Sequence, residues 1–471
     1  MPTIRSSNLS ALNLKVSPLG LTTPGQVISA LNVRRDMIGA WKKRQGYTTY
    51  LGTPDNAQVN SLFSWTRNDG TSLFVYRASG SALYHSVGGT GAWTLSGNGT
   101  ITYRGHFGFS VLDDVLIGGD GTAATRHTST GTSFTDTTAA PLAELWTEFQ
   151  GRVWAARGTA VSGTNTDLFF STTGTATNWQ TDSSSIRIPG PGRINSVMKV
   201  SDTIVATKDG GNIFRYDGDT LIDLATDLAP SSTYSIGEKE QFRIYLNRIG
   251  FMGFGGARPE ILSNPIERQI YNTAGSGIIG TTFDSAPGIC FKYDYYCSVG
   301  TITDDLIYQT IPDCVQKYDI QLNEWVNWRL ANRPTAFGTF QDITGVDQMI
   351  FADSGGQCYQ LSGTATSDNG KPIESGLIGF IHGSSLEPKD WKYIRGLFNP
   401  GCRAMISYAI SDTFTPRTLE WKTIGNAIDG VVEYMFPGER GVFLFWRIYE
   451  NSQDAPWQFY GWEVDADVVT H

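Results

Sequence analysis

Side chains catalyse in sets, and the chemically able residues of this 471-residue chain are spread singly. Glycoside hydrolysis asks for two carboxylates facing each other across a cleft. Glu144 and Glu148 could share one face of a helix, and Asp304 and Asp305 are adjacent. Adjacent acids read first as solvated turn residues. His85, His106 and His127 fall in separate segments, His382 is isolated, and His471 is the last residue; none belongs to an HxH, HExxH or GxSxG setting. Asp217–Gly218–Asp219 has the opening of a calcium loop without its remaining acids, so it reads as turn chemistry. Cys290, Cys297, Cys314, Cys358 and Cys402 are odd in number and contain no CxxC pair. Buried free thiols are expected, in keeping with folding in a reducing cytosol, rather than a disulfide framework or a zinc site. No Walker-type loop and no GxGxxG ahead of a helix is present. The expectation is a protein that is not an enzyme and holds no metal or cofactor.

The elements that carry these residues follow from composition. Charged residues are 17% of the chain, below the ~25% of typical soluble domains, while aromatics are 12% and glycines number 53. Such a chain suits short strands and tight turns and suits helices badly. One phrase recurs: an apolar strand, a short turn and a second apolar strand, as in Val111–Leu112–Asp113–Asp114–Val115–Leu116–Ile117. Its copies centre on Asp69, Asp113, Gly151, Asp202, Asn247, Asp294 and Asp347, with a mean step of about 46 residues, near the repeat length of propeller blades. Aromatic strands such as Leu83–Tyr84, Phe169–Phe170 and Tyr318–Asp319 follow several copies, often with a Trp beyond. Two hairpins per repeat make a four-stranded blade, which needs neighbours to cover its faces. The fold class expected is all-β: a β-propeller over residues 59–366 with seven blades, or six because the copy after Ile278 is long and irregular. After Pro372 and Gly376 the phrase gives way to well-separated strands, which predicts a C-terminal β-sandwich over 367–471.

Residues 1–58 are expected to form an extended N-terminal arm, because the first fifty lack both phrases and carry Pro2, Pro18 and Pro24. Those fifty residues hold seven bases against one acid, Asp36, which leaves −15 on the rest of a chain whose net charge is −9. A basic arm on an acidic body suggests a segment that seeks an acidic protein partner. Its assembly residues would be Asn32, Arg34, Arg35, Gly39, Lys42, Lys43, Arg44 and Gly46. No apolar signal-peptide core begins the chain, and no stretch approaches the ~20 apolar residues that span a membrane.

Two resemblances rest on motifs. Ser171 to Trp179 resembles a degenerate Asp-box, the structural turn of sialidase-like blades, with Thr173 where the Asp would stand and the Trp one place late. The second covers most of the chain. Leu31–Asn32–Val33, Gly39 and Lys42–Lys43–Arg44–Gln45–Gly46–Tyr47 resemble the opening of tail hub or nozzle proteins of short-tailed bacteriophages, the podovirus packaged-DNA stabilisation type. Lys392–Tyr393–Ile394–Arg395–Gly396–Leu397 and Ser407–Tyr408–Ala409–Ile410–Ser411–Asp412 look like the C-terminal strands of the same proteins. That resemblance implies a virion tail protein folded in the host cytoplasm. It implies a self-assembled ring, commonly a hexamer, below the portal–adaptor complex, with tail fibre or spike proteins as further partners. Double-stranded DNA would be retained in the channel and pass through it without sequence-specific binding. An acidic wall would let phosphate slide. The rival reading is a propeller-based carbohydrate-acting, sialidase-like glycosidase, or a carbohydrate-binding tail protein.

Overall fold

The structure, a computed structural model, describes residues 3–6, 10–12, 26–36, 39–50, 52–89, 92–101, 106–157, 165–180, 185–270, 285–304, 309–382, 386–427, 429–452 and 456–469. Seven four-stranded antiparallel blades form a propeller. From inner to outer strand, blade 1 runs from Val59–Thr66 to Thr94–Thr100 and blade 2 from Gly108–Leu112 to Thr135–Asp136. Blade 3 runs from Leu145–Phe149 to Ser185–Arg187, and blade 4 from Ile194–Val200 to Leu221–Ala225. Blade 5 runs from Gly237–Lys239 to Glu260–Ile261, and blade 6 from Gly288–Phe291 to Glu324–Arg329. Blade 7 begins at Ala336–Gln341.

Local chemistry sets the hairpins. Asp113 and Asp114 both sit at positive φ, 49° and 57°, as a two-residue primed turn requires. The Asp114 carboxylate then accepts from Arg67 (3.0 and 2.8 Å) and from the Asn68 backbone (3.0 Å), which ties blade 2 to blade 1. The repeat phrase lands on the first hairpin of six blades. In blade 5 it marks the second hairpin, at Asn247–Gly250, because the inner strand Gly237–Lys239 is three residues long and carries two charges. The irregular copy is blade 6, whose two middle strands, Asp294–Asp304 and Gln309–Asp319, each reach eleven residues.

Blade 7 corrects the reading of residues 1–58 as an extended arm outside the propeller. Its outer strand is Tyr47–Tyr50, paired antiparallel to Cys358–Leu361, so a segment from before blade 1 closes the ring. Closure covers an edge that a lone three-stranded sheet would leave open. Gln26–Leu31 also lies inside the fold: it meets blade 6 at Leu31–Asn327 and pairs along Ser375–Ile381. One ten-stranded sheet therefore runs from blade 6 through Gln26–Leu31 into the C-terminal strands. A second, seven-stranded sheet is built on Lys389–Phe398 and Gln458–Val468 and receives Val33–Arg35 and Trp41–Lys43 at one side. These sheets pack as a sandwich around Trp391, Trp446, Trp457 and Trp462, and one continuous apolar core links them to Trp325 and Trp328 of blade 6. The arm failed to look like core because its strands are three to six residues long and match no repeat.

Candidate functional site

Two places gather the residues of interest: the junction where the N-terminal strands enter, and the axis of the propeller. At the junction, all five N–H donors of Arg44 are used. Nε donates to Asn32 Oδ1 (2.8 Å), one terminal nitrogen to Gln45 O (3.0 Å) and Asp368 Oδ1 (2.8 Å), and the other to Arg329 O (2.8 Å) and Asp368 Oδ2 (2.5 Å). The guanidinium lies over the Trp328 ring at 5.4 Å. Asn32, at φ 53°, accepts from the Arg329 backbone (2.8 Å) and donates to Glu374 O (2.6 Å). Gly46 approaches Ser367 so closely that a Cβ there would stand 1.9 Å from its carbonyl oxygen. Lys43 is buried against Glu450 and Ser452 O, and Arg35 bonds Glu324 and Gly39 O. Burial pushes the Glu324 carboxyl up, against the pull of Arg35. Gly39, at φ 91°, turns the chain between Val33–Arg35 and Trp41–Lys43.

Of the eight residues assigned to assembly, seven are thus bonded or packed within their own chain, Lys42 through an ion pair with Asp36 (3.7 Å). Arg34 and Lys42, opposite each other across that turn, are half-buried and retain some reach to solvent. The bases lie inward because each enters beside an acid or carbonyl from a distant segment. A buried cation without such partners would cost several kcal/mol.

At the propeller axis the inner strands leave space between them. Two cavities of about 410 and 240 Å³ lie between the inner strands and share Leu62, Phe63, His106 and Thr233 in their walls. The Tyr234 ring lies tilted against His106 with ring centroids 4.5 Å apart. Ser61 Oγ accepts from the Phe107 backbone (2.8 Å) and stands 2.8 Å from His106 Nδ1. A serine hydroxyl aimed at an imidazole has the geometry of a nucleophile beside its base. Burial lowers the His106 pKa to about 4, which leaves it a weak base, and no carboxylate among the described residues bonds the ring. Nothing in the sequence marks this pair, since Ser61 and His106 are 45 residues apart and carry no motif.

Of the other candidates, Glu144 lines the smaller axial cavity together with His106 and Glu238, while the rest stay apart. Glu144 and Glu148 lie at the inner strand of blade 3, not on a helix, and four residues of extended chain span about 13 Å. Glu148 accepts from Gly151 N (3.2 Å) and Lys199 (3.1 Å), tying blade 3 to blade 4. The side chain of Asp304, and all of Asp305, lie outside the described residues. The Ser171–Trp179 turn is packed: Ser171 Oγ accepts from Val153 N (3.0 Å), Trp179 donates to Ala176 O (2.9 Å), and its ring meets Trp146 edge-on. Asp217 caps its own turn through Asp219 N and Thr220 N, and those bonds lower its pKa. His85 and His127 bond Ser96 and Thr137, while His382 is buried against Phe380 and Phe443. His471 lies outside the described residues. All five cysteines are buried and free, and burial pushes the thiols of Cys290, Cys297 and Cys358 up to about 12. Among the described residues no cluster of three or more His, Cys, Asp or Glu could hold a metal, and no helix is long and apolar enough to cross a membrane.

No protein-family model and no curated protein matches the chain. Among solved structures it is similar to YCF48 from Cyanidioschyzon merolae, with 12% identity over 67% of this chain and 98% of that one and a TM-score of 0.43. It is also similar to the WD40 β-propeller domain of Doa1, with 11% identity over 68% and 97% and a TM-score of 0.40. The extracellular domain of the putative hybrid two component system BT4673 from B. thetaiotaomicron matches with 11% identity over 90% of this chain and 60% of that one, TM-score 0.46. At such identities the likeness concerns the fold alone.

Proposed function

We propose that the protein is a structural component of a short-tailed phage tail, a hub or nozzle subunit that joins others in a ring around the path of packaged DNA. The observation that carries this reading is the junction. The residues by which the chain resembles that group, Asn32, Arg44, Gly46 and Tyr47, are those that lock propeller, closing strand and sandwich together. A protein that bears the pressure of packaged DNA gains from such a body, since its domains cannot hinge about a linker. The axial cavities are far too small for a duplex, so the DNA path would lie between subunits, on an acidic surface that holds phosphate weakly. Contacts with neighbours would fall outside the buried pairs of Lys43 and Arg44, with half-buried Arg34, and Lys42 beyond its loose pair with Asp36, the members of the basic set able to join them.

Electron microscopy of the purified protein, and of virions that carry it, tests the reading. Closed rings with a central opening wide enough for duplex DNA are expected. A protein that stays monomeric at high concentration and is absent from virion tails would sink it.

A further inference from the structure

A cleft of about 500 Å³ opens where the chain leaves the closing strand and enters blade 1. Its walls carry Asp55, Asn56, Gln58, Asn60, Ser81 and Tyr84. Only one of these is charged, and that charge is already matched. Asp55 accepts from Arg77 (3.2 Å), from Ser79 Oγ (3.0 Å) and from Ala57 N (3.3 Å). Arg77 is itself buried and donates to Gly356 O (2.7 Å). The cleft therefore offers neither a free cation to an anionic ligand nor a free carboxylate to a metal ion.

What it does offer is an aromatic ring and side-chain amides. The Arg77 guanidinium is stacked between two rings, 4.8 Å from Trp93 and 4.9 Å from Tyr84. That stack fixes the Tyr84 ring from one side at the wall of the cleft. Gln58 Nε2 donates to Asn60 Oδ1 (2.7 Å), so the amides hold one another in place. The Asn56 and Gln58 amides carry both a donor and an acceptor, which suits vicinal hydroxyls that are donor and acceptor at once. An ordered ring that packs the C–H face of a ligand, beside a few fixed polar groups, is how a concave site gains orientation without charge.

We propose that this cleft is a binding subsite for a neutral saccharide, stacked on Tyr84 and hydrogen-bonded by Asn56 and Gln58. The site goes beyond the tail reading and does not depend on it, because the isolated protein shows binding whether or not it forms rings. A nucleobase could also stack on Tyr84, but the unmatched phosphates of a strand would face an acidic protein with no free base in the cleft.

The test is ligand-observed NMR on the full chain with maltotriose, cellotriose and lactose, the matching monosaccharides, sialyllactose and oligothymidylate as probes, all at millimolar concentration. At least one neutral oligosaccharide should bind, more weakly as its monosaccharide if the source is a glycan and equally if it is the free sugar. Tyr84→Ala should weaken binding at least about tenfold, Gln58→Ala should weaken it less, and Tyr84→Phe should keep most of it. Met435→Ala, exposed on a C-terminal strand away from blade 1, should change nothing. Tyr84→Phe and Gln58→Ala leave the Arg77 stack in place, so a folding defect in Tyr84→Ala does not shelter the idea. No binding by any neutral probe, binding indifferent to Gln58 and Tyr84, or preference for oligothymidylate would each overturn it.

Discussion

Replacing Arg44 by Met should cost about 4 kcal/mol of stability. The figure comes from what is left behind. Asp368 is 2% exposed, and loss of the guanidinium strips both its strong partners, leaving the Ala331 backbone at 3.4 Å. Asn32 Oδ1, Gln45 O and Arg329 O lose a donor at the same time. Breaking one side of a buried ion pair costs about 3–5 kcal/mol, mostly as the uncompensated charge of the survivor. Against the ~5–15 kcal/mol that holds most domains together, that is a large share. The same reasoning fixes the double variant. Arg44→Met with Asp368→Leu removes both charges and should recover at least ~2 kcal/mol of the loss. Urea titration followed by tryptophan fluorescence reads this directly, since Trp328 lies under the Arg44 side chain. Arg395→Ala is the control: it pairs with Glu433 and Glu463 on an exposed sheet face, where such contacts are worth no more than ~1 kcal/mol. If Arg44→Met costs under ~1 kcal/mol, or if the double variant is as unstable as the two singles added, the junction is not what holds the domains together.

Deleting residues 26–50 should abolish cooperative unfolding rather than merely weaken assembly, because the deletion removes the closing strand of blade 7 and the strand between blade 6 and the sandwich; circular dichroism and a thermal scan would show it. Stability should fall on acidification between pH 6.5 and about 4. His106 is neutral in the fold with its pKa lowered to about 4, the unfolded imidazole takes a proton below ~6.5, and the loss approaches ~3 kcal/mol at pH 4. His106→Gln should flatten that part of the profile, and an unchanged slope would show that the ring titrates elsewhere. The five thiols should resist a disulfide-exchange reagent in the native state and react together once the chain is denatured, as buried thiols with raised pKa values do.

How far the sequence could be read depends on how far each contact reaches along the chain. The blades were legible because their signal is local: an apolar strand, a turn residue such as Asp113 at positive φ, and a second strand whose partner is a few residues away. Where the first strand shrinks to Gly237–Lys239, the same signal slips by one hairpin although the count of seven survives. The junction was illegible for the opposite reason. Arg44 finds Asp368 across 324 residues and Lys43 finds Glu450 across 407, and no local pattern tells a base with such a partner from one that faces water. Tyr47–Tyr50 is buried only at its two ends, so it lacks the alternation that marks a strand, yet it completes a blade. The motif read as a hook for another protein is therefore a hook for the chain's own far end. Gly46 is fixed by its approach to Ser367 and Asn32 by its positive φ, demands set by this one chain's packing. In related chains these two positions and the Arg44–Asp368 pair should persist together even where exposed surface has changed. An Asp368 retained where Arg44 is lost would mean that the carboxylate has another use.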